Sequence, residues 1–232
     1  MKVFLLVTLF FTPLAAFGQS AESIPNEDSL LRDARSSVPI LLRILLPPGL
    51  REGYTLREYF ASDAYVQASL GESDQERMDA IYYDAVELTH QHSSTTLLAA
   101  AFSVFEHKSI QLQMPGFILP IPLTSESNEH FDLRVSHLPA HIYSPKIGDV
   151  DKLQHFFSSA WLKKLFGMDW LVEFAGNFVE VGEQAFVVGG ADDPRDKHAN
   201  ADGLNFGRNI SRHIRRHGEL DIAPSEFLTP NP

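Results

Sequence analysis

The stretch "DDPRDKHANADGLNFG", Asp192 to Gly207, decides how the C-terminal part of the chain is read. Pro194 suits the first turn of a helix, where its missing N–H has no partner to lose. Beyond it, Asp196, Asn200, Gly203 and Gly207 recur at helical spacing. They fall within about a sixth of a turn of one another. A helix that lines an acid, an amide and two glycines along one face is shaped for a neighbour. The glycines let a second backbone come close. The acid and the amide then sit at the mouth of that contact, within reach of a facing histidine or lysine. Gly218 marks the expected stop.

Two helices are expected before this one. "DKLQHFFSSAWLKKLFG" is amphipathic and stops near Gly167, with Asp151 and His155 four apart on one face. "DWLVEFAGNFVEVGEQAFV" is read as the next helix, with Glu173, Gly176, Glu180 and Glu183 on one face. Three polar stripes on successive helices converge in an antiparallel bundle. Residues 149–218 are therefore expected as a three-helix domain. Its candidate catalytic residues are Asp151, Lys152, His155, Glu180, Asp196 and Asn200. One imidazole with several carboxylates also suits a divalent metal, so His155, Asp151, Glu180 and Asp196 are the candidate ligands. The same side chains serve equally as a buried polar network that fixes helix register. A di-iron reading of "ELTH", Glu87 to His90, finds no second copy, and no calcium loop, phosphate loop or nucleophile elbow is present.

The ordered set Asp-Lys-x-x-His, then Glu, then Asp-x-x-x-Asn-x-x-Gly-x-x-x-Gly resembles the VanZ-like proteins and the related YfiM-type envelope lipoproteins. Here it reads "DKLQH" from Asp151, "EVGEQ" from Glu180 and "DKHANADGLNFG" from Asp196. The resemblance spans about residues 150 to 210 and implies a helical unit and an envelope location. It differs from membrane-embedded members in carrying Lys197, His198, Asp202 and Asn205 between the motif positions, which suits water. Arg195 is adjacent to Asp196 rather than several residues before it, and no lipobox is present.

The rest of the chain frames this unit. "MKVFLLVTLFFTPLAAFGQS" is expected to be a signal peptide over residues 1–18, cut after Gly18. Residues 19–148 are expected as an α/β region. "SDQERMDAIYYDAVELTHQH" opens with a Ser73/Glu76 capping box and puts Met78, Ile81, Tyr82, Val86 and Leu88 on an apolar face. "YTLREYFASDAYVQASLG" is read as a helix starting at a Thr55 cap, and "TTLLAAAFSVFEH" as another. "SIQLQMPGFILPIPLT" and "HFDLRVSHLP" alternate or carry prolines and are read as short strands joined through "SESNEH". The expected fold class is therefore α+β: N-terminal helices with a small antiparallel β element, a C-terminal three-helix domain, and an extended tail over 219–232.

Composition narrows the function classes. The net charge of -11 argues against nucleic acid and against anionic lipid headgroups as partners. The absence of cysteine excludes disulfides and thiolate zinc sites. No segment after residue 18 is apolar for long enough to read as a transmembrane helix. These features lead to an expected exported, periplasmic or extracellular protein with envelope components as partners. Its expected role is binding or structural, and the alternative is a metal-assisted hydrolase.

Overall fold

The computed structural model describes residues 46–112, 121–145, 148–167 and 194–229. Helix α1, Leu50–Phe60, begins where the Gly49 N–H donates to Glu52 Oε2 at 2.6 Å. The expected start at Thr55 is thus corrected. Thr55 lies inside the helix and its hydroxyl donates back to the Arg51 carbonyl at 3.2 Å. Helix α2, Asp63–Ala68, is capped by Ser62. Helix α3, Asp74–Leu88, carries the expected capping box: Ser73 N donates to Glu76 Oε2 at 2.7 Å and Glu76 N to Ser73 Oγ at 3.3 Å. Each side chain thereby satisfies an amide that the first helical turn leaves unpaired. Helix α4, Ser93–Ser103, follows.

Strands β1, Ser109–Leu112, and β2, Ile121–Ser125, pair antiparallel, with Ser109 opposite Ser125 and Leu112 opposite Ile121. Helix α5, Asn128–His137, comes next. It replaces the strand expected from "HFDLRVSHLP". The alternation of Phe131, Leu133 and Val135 is too short to decide the period. Ser127 instead caps a helix by accepting from His130 N at 3.1 Å. Helix α6 runs Val150–Phe166 to the stop at Gly167, whose φ is 70°. Helix α7 runs Pro194–His217 to Gly218, whose φ is 82°. A 3₁₀ turn at Pro224–Phe227 closes the described chain.

The α+β class is overturned. In the described part 71% of residues are helical, so the described part is helical rather than α+β. The β1–β2 ladder forms no sheet layer, and the described core is assembled by helices. Phe60, Met78, Ile81, Tyr82, Leu97, Leu153, Phe156, Phe157, Phe206 and Ile210 belong to one cluster, so the core runs through both parts of the chain. Helix α6 is its axis, packed on α4 on one side and α7 on the other. The tail joins in. Leu220 and Ile222 are buried, and Ser225 donates from its N–H and its hydroxyl to Asp79 at 2.8 and 2.5 Å. The described part of the expected extended tail, residues 219–229, is docked on the core, because burying its apolar residues outweighs leaving them in water.

Helices α6 and α7 are parallel. Contacts advance in the same direction along both, from Ser159 on Asn200 to Lys164 on Ser211. In an antiparallel bundle of three successive helices the first and the third run parallel; the helix expected between these two lies outside the described residues.

Candidate functional site

The α6–α7 contact is set by the two glycines. A Cβ on Gly203 would stand 2.1 Å from the Phe156 carbonyl oxygen, and one on Gly207 2.5 Å from that of Ala160. No side chain fits at either position, so the backbones approach as the small-residue stripe implies. The parallel register then brings the polar residues near the two N-termini onto one seam.

Lys152 is the centre of that seam. It is only 2% exposed, and its ammonium lies 2.5 Å from Asp151 Oδ2 and closer still to Asp196 Oδ1. Burial by itself lowers the pKa of this ammonium, but the hydrogen bonds and charges of Asp151 and Asp196 more than offset that and hold it above the ordinary 10.5. His155 Nε2 stands 3.6 Å from the same Asp196 oxygen. One turn on, Ser159 donates to Asn200 Oδ1 at 2.7 Å. Of the six candidate residues, Asp151, Lys152, His155, Asp196 and Asn200 are thus gathered on one seam. Glu180 lies outside the described residues, as does the rest of the helix expected around it.

Further polar residues complete this end of the seam. Asp149, buried, accepts from the N–H groups of Tyr143 and Ser144 at 2.8 and 2.6 Å and from Arg195 Nη1 at 2.5 Å. Arg195 therefore ties the start of α7 to the residue before α6. Asp202, on another face of α7, accepts from Tyr143 Oη at 3.2 Å and from the Thr229 hydroxyl at 2.8 Å, which latches the tail. The sequence signal for Asp149 was weak, since an Asp just before a helix is normally read as a cap.

A second buried charge cluster carries no motif. Glu126 accepts from Arg57 Nε and Nη2 at 3.1 and 2.9 Å and from Arg134 Nε and Nη2 at 2.9 and 3.0 Å. The remaining guanidinium donors reach the carbonyls of Phe102, Ser103, Phe105 and His107 at and beyond the end of α4. Burial first, and the charge of Arg134 second, lower the Arg57 pKa to about 10. Burial raises the Glu126 carboxyl, but the bonds and charges of the two arginines win and hold it below 4.5. The only sequence signal is the eight-residue separation of Glu126 and Arg134 across a helix start.

Among the described residues no group of three His, Cys, Asp or Glu side chains is arranged to hold a metal ion. At the seam the place between the Asp151 and Asp196 carboxylates is filled by the Lys152 ammonium. Among the described residues no helix is long and apolar enough to cross a membrane. No family model, curated protein or solved structure matches this chain. The likeness to VanZ-like proteins therefore rests on the motif residues alone.

Proposed function

We propose that this is an exported, envelope-associated binding or structural protein, in which the α6–α7 seam locks two helices in register. One observation carries the seam's role: among the described residues its polar groups pair across the two helices. Lys152 is held by Asp151 and Asp196, and Asn200 by Ser159. A polar network that pairs across two helices rigidifies their contact and penalises a slip of register. Export and envelope association rest on the N-terminal sequence and on the motif resemblance.

The second reading, a metal-assisted hydrolase, is favoured by His155 lying 3.6 Å from Asp196, a geometry suited to a general base. It requires a cation to displace the Lys152 ammonium. Metal analysis and thermal unfolding of the freshly purified protein separate the two. The register lock predicts no stoichiometric metal and a lower melting temperature in Lys152→Met. A stoichiometric metal that is lost in His155→Ala establishes the hydrolase reading instead. Mass spectrometry of the exported protein tests the compartment: an N-terminus at Gln19 supports it, and a retained Met1 removes it.

A further inference from the structure

The outward face of α7 is a separate surface from the seam. On a helical wheel Arg208, Arg212, Arg215 and Arg216 fall within about 100° of one another. They lie opposite Gly203, Phe206, Gly207 and Ile210, which are buried. Lys197 lies on the same arc, and no Asp or Glu of α7 does. Arg212, Arg215 and Arg216 are exposed. Arg212 donates to Asn209 Oδ1 at 3.1 Å, and among the described residues no carboxylate pairs with any of these three. The next acids, Glu219 and Asp221, come after the helix has ended at Gly218, and Asp221 is held by His213.

The parallel packing adds to this end. Lys163 and Lys164 occupy the last turn of α6, beside the last turns of α7. Lys164 donates to Ser211 Oγ at 3.1 Å, and burial, then the charge of Arg215, lower its pKa. Like charges are therefore gathered at one pole of a chain whose net charge is -11. The helix macrodipole accounts for cations in the last turn only. Arg212 lies earlier, where that field has faded.

We propose that this arginine face docks the protein on an anionic lipid bilayer surface. A bilayer is flat and meets only this face, while the acidic remainder is repelled and turned outward. A long polyanion such as nucleic acid would run on into that acidic remainder. Leu165, 37% exposed and next to Lys164, supplies an apolar contact at the same pole. The stripe is present whether the seam is structural or catalytic.

The test is co-sedimentation of the folded protein with vesicles of phosphatidylcholine alone or mixed with phosphatidylglycerol, in dilute and in concentrated salt. The wild type is expected to pellet with the anionic vesicles only, and to be released by salt. The triple variant Arg212→Gln, Arg215→Gln, Arg216→Gln is expected to bind roughly a hundredfold more weakly. Lys108→Gln, together with an unchanged melting temperature of the triple variant, controls for charge and fold. The proposal is overturned if the wild type ignores anionic vesicles, binds neutral ones equally, or binds a DNA duplex instead. It is also overturned if the triple variant pellets like the wild type.

Discussion

The Arg57–Glu126–Arg134 cluster and the Asp151–Lys152–Asp196 cluster are imbalanced in opposite senses. The first holds two guanidiniums on one carboxylate; the second holds one ammonium between two carboxylates. The surplus follows the helix ends. The arginines face carbonyls at and beyond the C-terminal end of α4, the negative pole of a helix. Asp151 and Asp196 stand in the first turns of α6 and α7, at the positive poles. At both places the backbone dipole beside the cluster has the sign that opposes the surplus. The clusters differ in solvent access: Arg57, Arg134 and Glu126 side chains are at most 5% exposed, whereas Asp151 is 43% exposed. Removing a partner should therefore cost more in the first.

The largest expected effect is that of Glu126→Gln. Two buried guanidiniums then face each other without a carboxylate, and urea unfolding should show a loss of about 4 kcal/mol. A loss smaller than that of the Lys152 variant reverses the comparison. Gly203→Ala should follow, at about 3 kcal/mol. Its Cβ meets a backbone oxygen that cannot rotate away, and the gain in helix propensity does not compensate. A more stable Gly203→Ala protein is incompatible with the close approach of α6 and α7. Lys152→Met should cost about 2 kcal/mol, less than Glu126→Gln because water reaches Asp151.

The pH dependence sharpens the same contrast. The folded Glu126 carboxyl lies below 4.5, so its contribution is present above that value and is lost as pH falls through the folded pKa. The folded Lys152 ammonium lies above 10.5, so its contribution is present below that value and is lost as pH rises through the folded pKa. Glu126→Gln should flatten the acid limb of the stability curve and leave the alkaline limb. Lys152→Met should do the reverse, and identical curves for both variants contradict the separation. The smallest effect belongs to the exposed side of the seam. A double-mutant cycle on His155 and Asp196, at a pH where His155 is charged, should give a coupling of about 1 kcal/mol. Additive losses mean that the 3.6 Å approach carries no energy.

The seam was largely legible before the structure because its residues repeat at helical spacing within two segments. Asp196, Asn200, Gly203 and Gly207 declare a face, and Asp151 and His155 declare its counterpart. Helix ends were legible for the same local reason: Ser73 with Glu76, Gly167 and Gly218 act within a turn of themselves. The Arg57 cluster was not legible. Its three members come from α1, the segment before α5, and α5 itself, and only the fold makes them neighbours. Helix α5 was misread because alternation over a few residues does not distinguish a strand from a helix. What decides it is Arg134 reaching Glu126 in the core.

By itself the sequence determined which segments are helical around a strong period, where they stop, and that one face of α7 must meet another backbone. Those are properties of a single turn or a single face, written in spacing and in the absence of a side chain. The tertiary structure alone decided that the tail packs on Asp79 and that Arg57, Glu126 and Arg134 meet in the core. Docking of a tail and burial of a charge depend on groups far apart in the chain, and no local spacing encodes them.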